Sequence, residues 1–261
     1  MILYFSGTGN SLAIARKIAE AIGEQVLSLY DAVKTDLSNE QRIGLVFPTY
    51  NLDAPIAVTQ LIPRIRFPKN AYTFVIITCG AQTNNAVWTV QRLLKQQEVT
   101  VNYCHKIRVP DSSALAFGRN PNDQAWKFDK FAPRLQTIIA DLKAQKKGLH
   151  FAGFDPLGWL MSRPALQRKL AQMTTPSVNP DKCIGCGICS KVCPQKNIVL
   201  SELDEPTAKA NAIANIGPHC TWCLSCVHFC PQQAMEVNGK SVSKPYQYHH
   251  PDIKLKDMLK R

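Results

Sequence analysis

Eight of the ten cysteines fall on two copies of one spacing. Cys183, Cys186, Cys189 and Cys193, followed by Pro194, read C-x2-C-x2-C-x3-C-P; Cys220, Cys223, Cys226 and Cys230, followed by Pro231, read the same. Three closely spaced thiolates can wrap one loop around three corners of an iron–sulfur cubane, while the fourth cysteine leaves on a proline turn and reaches elsewhere. In two-cluster proteins it reaches the other cluster. That rule gives one [4Fe–4S] ligand set of Cys183, Cys186, Cys189 and Cys230, and a second of Cys220, Cys223, Cys226 and Cys193. Gly185, Gly187 and Ser225 are small enough to let backbone N–H groups approach sulfur, where hydrogen bonds help set potential. Four thiolates also suit tetrahedral zinc. Zinc sites, however, pair two C-x2-C halves across a gap and have no use for a third cysteine at the same step.

The other stretch with chemical content is FSGTGNS near the start of the chain. It follows a short apolar run and opens a helix, where free backbone N–H groups and the positive end of the helix dipole meet an anion. A Walker loop would end in Gly-Lys-Ser/Thr, and the Lys is missing. A dinucleotide fingerprint would place its third glycine where this chain has Leu12. What remains is a turn of Ser6, Gly7, Thr8, Gly9, Asn10 and Ser11, dense in hydroxyls and suited to a terminal monophosphate. It resembles the flavodoxin phosphate loop, which holds the phosphate of FMN.

The elements that position these motifs are legible as periods. MILYFS (1–6), VLSL (26–29), RIGLVF (42–47), AYTFVIIT (71–78) and VTVNYCHKI (99–107) read as strands. Helical patterns cover Leu12–Ile22, Pro55–Ile62, Asn84–Gln97 and Gln124–Lys147. This alternation predicts an α/β domain, a doubly wound parallel five-stranded sheet of flavodoxin type over residues 1–147. In such a sheet the ligand lies beyond the carboxyl ends of the strands at the switch point. The loops Pro48, Thr49, Tyr50, Asn51 and Cys79, Gly80, Ala81, Gln82 should therefore meet the flavin ring, Tyr50 by stacking. Residues 109–123 form a long loop placed to cover or open the site. Cys104, like Cys79, lies outside the repeated spacing and reads as a small buried hydrophobe.

Residues 148–176 break the rhythm with an apolar connector that includes Phe151, Phe154, Leu157, Trp159, Leu160 and Met161; packing between the domains is the expected fate of so much apolar surface. The cysteine blocks occupy a small α+β domain at 177–243, and the basic tail is 244–261. Apolar residues at 45% and charged residues at 19% argue for a folded chain rather than a disordered one. No membrane span and no export signal are read, which points to the cytoplasm, where thiols stay reduced and favour cluster ligation over disulfides. Lys and Arg exceed Asp and Glu by 12. No nucleic-acid motif accompanies that excess, so it points to an acidic redox partner or substrate.

Taken together, FSGTGNS, PTY, the apolar connector, the doubled cysteine module and a closing YHHPDI resemble the family of single-chain flavodoxin–ferredoxin fusion proteins. The resemblance implies FMN, two [4Fe–4S] clusters in a bacterial-ferredoxin-like domain, and low-potential electron transfer. It also implies that Tyr248, His249 and His250 pack near the domain junction. The chain departs from that pattern at Phe229, where a Trp is expected, and at Ala81 and Gln82, where glycines are frequent. The expected function is an oxidoreductase that moves electrons between an external one-electron donor, the clusters, FMN and an acceptor at the flavin. A dedicated carrier between larger redox enzymes is the alternative; a zinc-containing protein that binds nucleic acid or phosphate is a further one. No catalytic acid or base is identified by motif.

Overall fold

The computed structural model describes residues 1–83, 85–149, 155–161, 163, 166, 175–203 and 210–259. Six parallel strands form the main sheet: β1 (Ile2–Tyr4), β2 (Val26–Ser28), β3 (Arg42–Pro48), β4 (Tyr72–Cys79), β5 (Val101–Arg108) and β6 (Gly148–Leu149). Their order is β2-β1-β3-β4-β5-β6. The first five follow the flavodoxin-like doubly wound order, whose switch point lies between β1 and β3. The sequence predicts five strands; the sixth is two residues at the sheet edge, pairing Gly148 with Tyr103 and Leu149 with Cys104. Two residues carry no period to read. β6 also extends the sheet beyond the boundary drawn at residue 147.

Helices cover both faces: α1 (Asn10–Ile22), α2 (Leu29–Ala32), α3 (Ile56–Leu61), α4 (Ala86–Lys95) and α5 (Trp126–Lys143). β4 is buried at every position, as a central parallel strand under two helical layers should be. Alternation along the strands divides the core. Leu3, Phe5, Leu45, Phe47 and Val75 face α3 and α4, whereas Ile2, Tyr4, Val46, Phe74 and Ile76 face α1 and α5. The second of these cores continues past the sheet domain into Val192, Phe229, Ile253 and Met258. The two halves therefore share buried apolar surface.

Of the apolar connector, α6 (Pro156–Met161) is described. Trp159 and Leu160 are exposed there, 36% and 54%. Phe151 and Phe154, and the side chains of Leu157 and Met161, lie outside the described residues. The C-terminal half holds β7 (Ser177–Val178), α7 (Ile188–Val192), the hairpin β8 (Ile198–Glu202) and β9 (Ala212–Ile216), α8 (Ser225–His228), β10 (Met235–Val237) and β11 (Lys240–Ser241). β10 pairs antiparallel with both β7 and β11. The tail ends in α9 (Leu255–Met258). No helix among the described residues is long and apolar enough to cross a membrane.

Candidate redox site

The two cysteine blocks fold as near copies. In the first, Gly185 and Gly187 take left-handed backbone angles, φ 66° and 71°; in the second, the equivalent positions are Trp222 and Leu224, φ 59° and 54°. A Cβ on Gly185 would lie 2.5 Å from the Ala212 carbonyl oxygen, so that position admits no side chain. Lys196 and Gln233, each three residues beyond the last cysteine of its block, match as well at φ 50° and 54°.

This symmetry gathers the cysteines into two sets around two small cavities. Cys183, Cys186, Cys189 and Cys230 line one; Cys193, Cys220, Cys223 and Cys226 line the other. Each cavity thus takes three thiols from its own block and one from the partner block. Among the described residues no group of three or more His, Cys, Asp or Glu side chains is set to hold a single metal ion. A cubane differs in this respect, because its thiolates sit at the corners of a cage and not around one atom. Burial pushes the Cys189 and Cys220 thiols up to about 11 and raises Cys226 well above its ordinary value as well. Uncompensated thiolates would therefore be costly here, and the cationic iron of a bound cluster would supply the compensation. Backbone amides reach sulfur at both crossing cysteines: Asn197 N–H donates to Cys193 Sγ at 3.4 Å and Ala234 N–H to Cys230 Sγ at 3.3 Å.

The loop Ser6–Ser11 lies at the switch point and is buried throughout. Gly9 N–H donates to Ser6 Oγ (3.1 Å), Ser11 and Thr78 share a hydroxyl bond (2.8 Å), and Asn10 Nδ2 donates to the Pro110 carbonyl (3.0 Å). At the N-terminus of α1 no side chain caps the helix. Asn10, Ser11 and Leu12 are buried residues whose amides donate to no backbone carbonyl among the described residues. Thr49 Oγ1 is buried and unpartnered. Such groups, left unpaired, each cost free energy comparable to a lost hydrogen bond. Their chemistry fits a phosphate and the polar body of FMN.

The C-terminal half roofs this loop. Ser225 Oγ donates to the Gly7 carbonyl, and a Cβ on Gly7 would sit 2.5 Å from both the Cys223 carbonyl oxygen and Tyr50 Oη. His250 N–H donates to the Thr8 carbonyl (2.9 Å) and Tyr248 Oη to Asn10 Oδ1 (2.5 Å). The tail is itself tied to the cluster domain: Gln247 Nε2 donates to the carbonyls of Val227 and Cys230, and the His249 ring stacks on Phe229 at 5.3 Å. His228 Nδ1 accepts from Tyr248 N–H, which leaves its proton on Nε2, donated to the Ser112 carbonyl at 3.1 Å. Burial holds His228 down at about 4, so it stays neutral.

The loop predicted to meet the flavin edge is placed differently from Tyr50. Lys127 Nζ bonds the Gly80 carbonyl, Arg108 Nε the Ala81 carbonyl and Lys106 Nζ the Gln82 side chain, and Asp111 packs on Gly80. Burial raises Cys79 to about 11, and Cys104 to about 12, so both are neutral thiols. Tyr50 and Asn51 instead border a cavity of about 670 Å³ that opens between α3, α4, α6 and the second cysteine block. Trp88, Arg92, Trp159, Arg163 and Trp222 also line it, and Cys220 reaches it. None of those five was singled out as a site residue from the sequence. Trp222 had a signal: aligning the two blocks sets it opposite Gly185.

Residues 175–231 match the family model of the 4Fe-4S dicluster domain. The chain is 29% identical, over 90% of its length, to the pyruvate dehydrogenase [NADP(+)] of Cryptosporidium parvum, of which it spans 14%. Among solved structures it is similar to the flavodoxin of Megasphaera elsdenii at 21% identity and a TM-score of 0.34, over 40% of this chain and 82% of that one. It is also similar to a Fusobacterium nucleatum flavodoxin bound to flavin mononucleotide at 13% identity and a TM-score of 0.36, over 56% of this chain and 97% of that one. At such scores the assignment of the sheet rests on its own strand order. The chain thus joins a flavodoxin-like sheet to a 4Fe-4S dicluster domain.

Proposed function

We propose that this chain is an iron–sulfur flavoprotein that passes electrons between an external one-electron donor, two [4Fe–4S] clusters and FMN, with an acceptor reduced or oxidised beside the flavin. The clusters supply single-electron transfer, and FMN connects it to two-electron chemistry. Cys183, Cys186, Cys189 and Cys230 hold one cluster; Cys193, Cys220, Cys223 and Cys226 hold the other. The amide N–H donations to Cys193 and Cys230 stabilise negative charge on sulfur. At the other end of the site, the amides of Asn10, Ser11 and Leu12 and the Thr8 hydroxyl meet the phosphate at the positive end of α1. Thr49 Oγ1 offers a further polar contact, and Tyr50 orients the ring. Tyr248 and His250 seal the loop from water.

The observation that carries the reading is the contact between Gly7 and Cys223. It sets residues 6–11 against the backbone of Cys223, and Tyr50, whose hydroxyl meets the same point, supports a flavin ring held on the side of the second cysteine block. The 670 Å³ cavity beside Tyr50 favours an enzyme with its own acceptor over a bare carrier. The Cryptosporidium relative, of which this chain spans 14%, is named as a dehydrogenase, in keeping with a redox role for the matched portion. The excess of positive charge favours an acidic redox protein as donor, in a reducing compartment such as the cytoplasm. Anaerobic stepwise reduction, followed by visible and paramagnetic resonance spectra, tests the proposal. Separate flavin and cluster bleaching, with electrons redistributing between them, is expected. A protein that binds no flavin, or whose flavin and clusters titrate without exchanging electrons, refutes it.

A further inference from the structure

The 670 Å³ cavity falls within the size range of small-molecule sites, about 300–1,000 Å³. Its walls are specific in kind. Trp88, Trp159 and Trp222 are three of the chain's four tryptophans. Arg92 Cζ lies 5.4 Å from the ring centre of Trp88, and Arg163 Cζ lies 3.7 Å from that of Trp159. Neither arginine makes a salt bridge among the described residues. The one carboxylate in the wall, Asp53, accepts from Thr89 Oγ1 and from Ala54 N–H. Thr221, which borders both this cavity and the second cysteine cavity, buries a hydroxyl without a partner.

Trp222 adds an independent observation. It holds φ 59° at the position where the first block uses Gly185. A bulky residue in the left-handed region costs roughly 1–3 kcal/mol, and such strain gathers at ligand clamps. Glycine would serve the cluster loop without that cost; Leu224 bears the same cost at φ 54° opposite Gly187, and of the two Trp222 is the one that lines the cavity.

We propose that this cavity binds a small planar aromatic carboxylate, its ring held among Trp88, Trp159 and Trp222 and its charge met by Arg92 and Arg163. Aromatic walls recognise a flat ring, and guanidinium groups recognise a carboxylate through paired N–H donors. The proposal rests on the reading of this cavity as the acceptor's seat beside the flavin, and a loss of naphthoate binding with flavin and clusters still exchanging electrons would overturn it without touching that reading.

Isothermal titration calorimetry of the full chain, prepared without oxygen and carrying its cofactors, tests it with 2-naphthoate and the neutral 2-naphthamide as probes. Naphthoate should bind once per chain. The amide, and naphthoate on the double variant Arg92→Gln with Arg163→Gln, should bind at least about tenfold more weakly. Trp222→Gly should keep the cluster absorbance, since glycine suits that backbone angle, and lose naphthoate binding. Absence of naphthoate binding, equal binding of acid and amide, or indifference to the arginine or Trp222 substitutions would each overturn the proposal. So would binding that appears only after flavin is removed, because the cavity would then be the flavin's own seat.

Discussion

Gly7→Ala is the sharpest perturbation of the junction between the two halves. The added Cβ would stand 2.5 Å from the Cys223 carbonyl oxygen and 2.5 Å from Tyr50 Oη. Each contact is roughly 0.9 Å short of ordinary van der Waals distance. The tyrosine hydroxyl ends a side chain and can swing aside. The carbonyl belongs to the backbone of Cys223, a proposed cluster ligand, and is flanked by Ser225, whose hydroxyl bonds the Gly7 carbonyl. Overpacking of this kind costs about 1–3 kcal/mol, which in a chain of this size lowers Tm by about 2–12 °C. Gly23→Ala provides the contrast. Its Cβ meets nothing within 4 Å, so only the backbone strain of φ 74° is added. Thermal melts should rank Gly7→Ala below Gly23→Ala. Paramagnetic resonance of the reduced protein should show a shifted signal for the cluster ligated by Cys223 and an unchanged one for the other. A Gly7→Ala protein with wild-type melting and both cluster signals intact would show that the loop and the cysteine block do not touch as described.

Three further outcomes follow from the same contacts. Cys230→Ala should damage the cluster whose other ligands are Cys183, Cys186 and Cys189, and Cys193→Ala the opposite one, as read from iron content and the two reduced-cluster signals; loss confined to the cluster of the mutated residue's own block would refute the crossing. Tyr248→Phe removes a buried bond to Asn10 and leaves its oxygen unsatisfied, so chemical denaturation should report a loss of about 1–3 kcal/mol. Burial depresses His250 to about 4, outweighing the opposing pull of Asp252. Its unfolded form takes up a proton near pH 6.5 and its folded form only near 4, so this contribution to stability is present above about pH 6.5 and is lost as pH falls from there to 4. Melts across that window should flatten in His250→Gln relative to the parent chain.

The periods of the first five strands and the main helices were legible because each element carries its own pattern. Ile2, Leu3, Tyr4 and Phe5 alternate between two cores, and the apolar run of β4 matches its burial on both faces. The gathering of the cysteines around two cavities, three from one block and one from the other, was legible because of the doubled spacing with a proline after each fourth cysteine. What was hidden is long-range. Nothing local in YHHPDI says that Tyr248 reaches Asn10, 238 residues away. The cavity draws its walls from five separate segments, around Tyr50, Trp88, Trp159, Gln195 and Trp222, which no single window contains. Likewise, Cys79–Gln82 reads as a loop at the switch point, but the anchoring cations Lys106, Arg108 and Lys127 come from β5 and α5.

The most direct measurement of the central claim is the cofactor inventory of the full chain purified without oxygen: iron, acid-labile sulfide, zinc and FMN per polypeptide. Two cubanes and one flavin require about eight iron, about eight sulfide and one FMN per chain. A colourless protein with zinc in place of iron, or a brown one that retains no FMN, would contradict the account.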